Sequence, residues 1–266
     1  DQSLLAIALH NRVELWDAHT YQLVRAFEHL HEGQVLSLDF DRDGMHLVSS
    51  SLDGMICLWD TSRDKAIWQY QHRSIRCSVA LSGHGDFIAA VTQVEAVTFH
   101  PGPAKRIMAR FQSATVDHCL CVAMAKQEPL LAVGGLHGIR LWNWQRNTDM
   151  GRLSVGNAWA TLAVTFSPDE QLIVGLMIQE PQSHQGSLIA WRLKTHEIVW
   201  NTPVPVSEIA DFRIATHRNL IAAVGRKGQV WIWDLDETRK TIQLTDCGRL
   251  STIDFHPTAD IITVGT

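Results

Sequence analysis

Fourteen histidines and five cysteines in 266 residues are the side chains that could bind a metal or move a proton near neutral pH. Their spacing does not assemble them. His29/His31 and Cys119/Cys121 are each two residues apart, which on a strand puts both side chains on one face. No second pair at ligand spacing completes a four-ligand set, so neither a metal nor another cofactor is expected. Nucleophilic catalysis would need a strained Ser or Cys turn with a base beside it, and no Gly-x-Ser-x-Gly element occurs. Gly134, Gly135 and Gly138 sit at a strand–strand hairpin and do not open a helix, which argues against a phosphate cradle. Carboxylates such as Asp169 and Glu180 are scattered over turns and loops, without the pairing that glycoside hydrolysis needs. The sequence therefore reads as that of a non-enzyme with no catalytic residues.

The whole-chain properties narrow the field in the same direction. A formal charge of −5 gives no global attraction to phosphate backbones or anionic lipid. No apolar run approaches the ~20 residues that cross a bilayer. The cysteines, odd in number and mostly within strand patterns, suit buried thiols in a reducing compartment, and a cytoplasmic location is expected. A hydrophobic content of 45% over this length is enough for a large core in one domain, taken as residues 1–266.

The elements that must position any site repeat along the chain. Strand-like endings recur at VELWD (13–17), ICLWD (56–60), EAVTFH (95–100), IRLWN (139–143), LIAWRL (188–193) and VWIWD (230–234). Their aromatics, Trp16, Trp59, Phe99, Trp142, Trp191 and Trp233, are spaced by 43, 40, 43, 49 and 42 residues, the period of one four-stranded unit. The long interval holds an insertion, IQEPQSHQGS, at 178–187. Within the clearest period, 35–40 and 46–51 read as two strands around turn residues 41–44. Asp53-Gly54 makes a tight hairpin because Gly accepts positive φ, and 55–59 returns as a third strand.

The stretch from His31 to Asp60 resembles one blade of the WD-repeat β-propeller family. The resemblance implies an all-β fold of four-stranded antiparallel blades and a buried hydrogen-bonded tetrad of His31, Ser49 or Ser51, Asp53 and Trp59. The other periods are degenerate: Gln93, His137 and Lys227 fall near hairpins where the tetrad has Asp. Outer strands fit at 22–27, 66–70, 106–111, 151–155, 197–202 and 240–244. The count of 25 strands, opening and ending within blades, favours seven blades with incomplete first and last ones, cut from a longer chain; six is the other reading.

The family implies a protein-interaction scaffold or sensor that binds a protein or peptide on one loop face. In the repeat register that face carries Arg73, Arg76, His118, Trp159, Arg226, Lys227 and Arg249, against the acids Glu32, Asp117, Glu180 and Asp246. A partner that is acidic and carries an apolar anchor is expected, together with other domains of the same longer polypeptide. Arginine and tryptophan favour such a face because one forks onto carboxylate and the other buries large area at little entropy cost. The alternatives are a propeller enzyme, which would need convergent titratable groups in the central channel, and a nucleic-acid or phosphoinositide binder, which would need a concentrated basic face.

Overall fold

Alternating apolar side chains and frequent turn residues force short antiparallel strands, and a computed structural model shows 25 of them and no helix among the described residues. The structure describes residues 4–28, 30–72, 77–92, 95–101, 106–112, 119–156, 160–178, 185–205, 209–215, 220–225, 227–234, 241–244, 252–255 and 262–265. The chain divides into two compact units, Asp1–Ser154 and Val155–Thr266.

The first unit holds four sheets in chain order. They are β1 (Leu4–Leu9), β2 (Arg12–Asp17) and β3 (Leu23–Phe27); β4 (Val35–Phe40), β5 (His46–Ser51), β6 (Met55–Asp60) and β7 (Ala66–Gln71); β8 (Ser78–Leu81), β9 (Ile88–Val91), β10 (Glu95–His100) and β11 (Arg106–Gln112); and β12 (Cys121–Met124), β13 (Leu130–Gly135), β14 (Gly138–Asn143) and β15 (Thr148–Leu153). The second unit holds β16 (Ala160–Phe166), β17 (Leu172–Ile178), β18 (Gly186–Arg192) and β19 (Ile198–Val204); β20 (Ile209–Ile214), β21 (Leu220–Gly225), β22 (Val230–Asp234) and β23 (Thr241–Leu244); and the pair β24 (Thr252–Phe255) and β25 (Ile262–Gly265). Every pairing is antiparallel between strands consecutive in sequence, so each sheet is a four-stranded blade of the expected propeller type wherever it is complete.

Sheets pack face to face through apolar layers. Val13, Leu15 and Phe27 of the first sheet meet Leu47, Cys57 and Trp59 of the second, and the Phe27 ring stacks on Trp59 at 4.4 Å. Val48, Ile56 and Leu58 continue onto Val79, Leu81 and Ile88. In the second unit Ala222, Val224 and Val230 pack on Ile253. The described cysteines, Cys57, Cys77, Cys119 and Cys121, are free and buried, and burial pushes the Cys57 and Cys121 thiols up to about 12. Of the repeat tryptophans, Trp59, Trp191 and Trp233 are core, whereas Trp16 and Trp142 are half-buried.

Two features hold successive blades of the first unit in register. The inner edge of β8 hydrogen-bonds to no strand among the described residues, and side chains of the preceding sheet satisfy it. Ser37 Oγ accepts from Val79 N and donates to Val79 O, both at 3.3 Å, and Asp39 Oδ2 accepts from Leu81 N at 2.7 Å. Ser50 Oγ donates to Cys77 O at 2.6 Å. Lys126, from the turn after β12, donates to Asp39 Oδ2 (2.7 Å), Phe40 O (2.6 Å) and Leu81 O (2.7 Å), tying three blades at one ammonium. The second feature is an interlock of equivalent turn residues. Arg42 N donates to Gly83 O at 3.0 Å, and a Cβ on Gly83 would lie 1.7 Å from Lys126 O.

One outer strand differs from expectation. The fourth strand of the fourth blade runs Thr148–Leu153, not 151–155. Its polar start carries no apolar alternation, because an outermost strand is exposed on most positions, and Asp149 is paired there with Arg140 across the sheet.

Gly83→Ala is expected to lower the melting temperature by ~3–10 °C, because the obstacle is main chain and cannot rotate away. Arg42→Ala, which keeps the main-chain donor, should stay within ~0.5 kcal/mol of wild type. Equal thermal shifts would disprove the interlock.

Candidate functional site

The second blade brings together the four residues that its sequence singles out. His31 lies just ahead of β4, Ser49 is on β5, Asp53 is in the β5–β6 hairpin and Trp59 is on β6. Trp59 Nε1 donates to Ser49 Oγ at 2.8 Å, and His31 Nε2 meets the same hydroxyl at 2.7 Å. An indole N–H only donates, so Ser49 accepts from Trp59 and its own hydrogen is free to go to His31 Nε2. That leaves the proton of neutral His31 on Nδ1, which faces Asp53 Oδ2 at 3.6 Å. The separation is longer than a formed hydrogen bond, and the pairing is therefore electrostatic. Of the two serines open to this role from sequence, Ser49 takes it; Ser51 Oγ instead accepts from Asp53 N at 3.3 Å.

Asp53 is the organiser of the surrounding loops. Its Oδ2 accepts from Glu32 N (2.7 Å) and Gly33 N (3.4 Å), and its Oδ1 from Met55 N (2.7 Å). Partial burial pushes this carboxyl up, but those three main-chain donors and His31 together bring it below its ordinary value. His31 is 3% exposed, and its pKa is lowered chiefly by burial, against the opposing pull of Asp53. The network is thus a hydrogen-bonded brace with a neutral imidazole at its centre. No group of three or more His, Cys, Asp or Glu that could hold a metal occurs among the described residues.

Sequence reasoning missed an analogous brace in the first blade. Glu14 is buried, accepting from Trp16 Nε1 at 2.9 Å and pairing with Arg12 at 2.6 Å. The signal was present as Arg-x-Glu-x-Trp, residues that alternate onto one strand face. In the third blade His72 is buried beside Tyr70. In the fourth, His137 at φ 67° and Gly138 at φ 132° make the β13–β14 turn without a carboxylate.

Of the loop residues proposed to bind a partner, Lys227 is described and is exposed in the β21–β22 hairpin. Arg73, Arg76, His118, Trp159, Arg226 and Arg249 lie outside the described residues, as does most of the 178–187 insertion. Ile178 pairs with Gly186 at the base of that insertion.

Comparison with known proteins accords with this geometry. Residues 21–60, which contain the tetrad, match the family model described as WD domain, G-beta repeat. The chain is 27% identical over 147 residues to telomerase protein component 1 of Mus musculus, covering 54% of this chain and 6% of that protein. It is 38% identical over 76 residues to the target of rapamycin complex subunit LST8 of Saccharomyces cerevisiae, covering 28% of this chain and 25% of that one. Anaphase-promoting complex subunit cdh1 of Dictyostelium discoideum is 28% identical over 100 residues, covering 37% and 13%. The chain spans a quarter or less of the length of each of these relatives.

Asp53→Ala should cost ~1–3 kcal/mol in urea unfolding, since three main-chain donors and His31 lose their acceptor, while Lys227→Ala should change stability by less than ~0.5 kcal/mol. Equal losses would refute the brace. The lowered pKa of His31 also fixes a pH dependence. The unfolded chain takes up a proton near pH 6.5 that the folded chain resists, so this contribution is full above pH 6.5 and declines as pH falls through the folded pKa. Wild type should lose up to ~1.4 kcal/mol per pH unit more than His31→Gln on going from pH 7 to pH 5. Parallel urea midpoints for the two proteins would contradict it.

Proposed function

We propose that this WD-repeat chain is a non-catalytic scaffold that binds a protein or peptide on the loop face of its blades. The observation that carries the reading is the Asp53 brace, which fixes the loop entering β4 and the β5–β6 hairpin against one another at the same end of the blade. Loops held this way present side chains without an ordering cost at binding. The names of two relatives, each the subunit of a complex, support protein partners for this chain as well.

In the fuller form of the proposal, residues 1–266 make one cytoplasmic seven-bladed propeller within a longer polypeptide, whose other domains are among its partners. By the repeat register its face carries Arg73, Arg76, His118, Arg226, Lys227 and Arg249 together with Trp159, and is mildly basic. That chemistry suits an acidic segment with an apolar anchor.

Partner capture from native lysate with wild type and with the Arg76→Glu/Trp159→Ala double variant, read by quantitative mass spectrometry, tests the face. The variant should lose the main partners while its circular dichroism stays unchanged. An unchanged partner set would reject the face, and capture of nucleic acid with steep salt dependence would favour a phosphate ligand instead.

A further inference from the structure

Two turns at the seam between the first and second sheets carry large apolar side chains where other sheets carry polar or compact ones. Tyr21, in the β2–β3 turn, has φ 54° and donates its N–H to Asp17 O at 2.8 Å. The matching turns place His196 (φ 59°) after β18 and Asn147 (φ 53°) after β14. A left-handed backbone suits Asn or His far better than a bulky aromatic, so Tyr21 is held there at a conformational cost. Met45, in the β4–β5 turn, accepts from Thr61 N at 3.0 Å, as Pro129 accepts from Trp144 N and Gln171 from Leu193 N. Tyr21 and Met45, at 56% and 55%, are the two most exposed large apolar side chains among the described residues. Their openness belongs to the position, because Asn147, Gln171 and His196 are exposed as well, in sheets with all four strands.

The outer strands add a second apolar pair. Val24 and Ile67 are the extra residues of β-bulges, which fall between Leu15 and Trp16 and between Leu58 and Trp59 of the facing strands. They are 48% and 45% exposed, matching Met150 at 47% on the equivalent bulge of the fourth sheet. At the first seam, however, bulge and turn residues are apolar together and tied to one another. Arg25, next to Val24, donates from Nε to Thr61 O and from Nη2 to Ser62 O, both at 3.2 Å, and pairs with Asp64. Thr61 is in turn the donor to Met45 O. The 61–64 turn is thus fixed before anything binds, which removes an ordering cost. Arg42 and Lys65 border it, exposed, and their side chains have no partner among the described residues. The acids of the same turns are mostly committed, Asp41 to His46, Asp60 to Arg63 and Asp64 to Arg25, which leaves Asp43 against the two cations.

We infer that this seam is a docking surface for a segment of a partner protein that presents aliphatic or aromatic side chains beside carboxylates. Such a segment buries Tyr21, Val24, Met45 and Ile67 and neutralises Arg42 and Lys65. The bulges exclude strand addition here, because each leaves a residue of the outer strand out of register, so side chains and not main chain make the contact. These turns lie at the opposite end of the sheets from the Asp53 hairpin, and the surface is therefore separate from the proposed loop face.

The probe is a synthetic peptide of repeated Glu-Leu-Leu-Glu units with one Phe at its centre. Two controls carry Lys for every Glu, or Ser for every Leu and Phe. NMR of the whole chain with labelled Met and Ile methyl groups reads the surface at Met45 and Ile67. The acidic peptide should shift both signals, and neither control should. Its affinity should fall ~tenfold or more in Tyr21→His/Met45→Gln, which installs the residues of the equivalent turns, and in Arg42→Glu/Lys65→Glu, with melting temperatures unchanged. Absence of shifts at Met45 and Ile67, or equal affinity for wild type and both variants, would overturn the proposal. So would equal binding of the lysine peptide, or recruitment to phosphatidylserine vesicles in preference to the acidic peptide, which would mark a lipid surface instead. Arg76→Glu/Trp159→Ala should leave the shifts intact, so this surface and the loop face fail separately.

Discussion

A blade cannot be buried beside its neighbour unless the free edge of its first strand is satisfied. A buried main-chain N–H or C=O without a partner costs about as much as several favourable contacts return. At β8 the solution is made by side chains. Ser37 and Asp39 project from β4 to meet Val79 and Leu81, and Lys126 donates to Leu81 O and to the Asp39 carboxylate. The same Asp39 oxygen takes a main-chain proton and an ammonium proton, so removing the carboxylate would leave both Leu81 N and Lys126 short of an acceptor. The apolar layers between sheets are large but directionless; this polar seam fixes how far one sheet can slide past the next.

The tetrad acts at the other end of the same blade and on a different problem. Trp59 is pinned on one side by the stacked Phe27 ring and at its nitrogen by Ser49, which joins the intersheet core to the hairpin. Through His31 and Asp53 the chain of contacts then reaches the main chain of Glu32 and Gly33. A Cβ at Gly33 would lie 2.7 Å from Asp53 N, so the entering loop approaches the hairpin too closely for any other residue. A core ring, a hydroxyl, an imidazole and a carboxylate thus transmit position from packed interior to surface loop.

Strands and blades were legible because their signals are local. Period-two alternation, turn dipeptides and a recurring aromatic lie within a few residues of one another, and the β4–β6 boundaries follow from them almost to the residue. What sequence could not show were pairings between blades. Nothing near Lys126 announces that its ammonium lies against Asp39, 87 positions away, and Gly83 reads as an ordinary turn glycine until its neighbour is in place. Thr148–Met150 was misjudged for the converse reason. An outer strand has few buried positions, so the apolar pattern that marks the other strands is missing there. The loop residues Arg73, Arg76 and Trp159 were placed by the repeat register alone, and the case for them remains one of register and chemistry.

The degeneracy of the repeats then has a physical reading. In the second blade, Asp53 commits its two oxygens to three main-chain groups, and the hairpin geometry is dictated by that bond set. A blade that replaces the carboxylate loses this constraint but keeps its buried sheet, as β13 and β14 do around the His137-Gly138 turn. Loss of the brace therefore costs one blade ~1–3 kcal/mol while releasing its loop from a fixed shape. Apolar burial across the sheets, at ~25 cal/mol per Å2, is large enough to absorb that loss blade by blade. A degenerate blade is therefore stable without a fixed hairpin shape, and the best-preserved repeat is the one whose loops are held rigid.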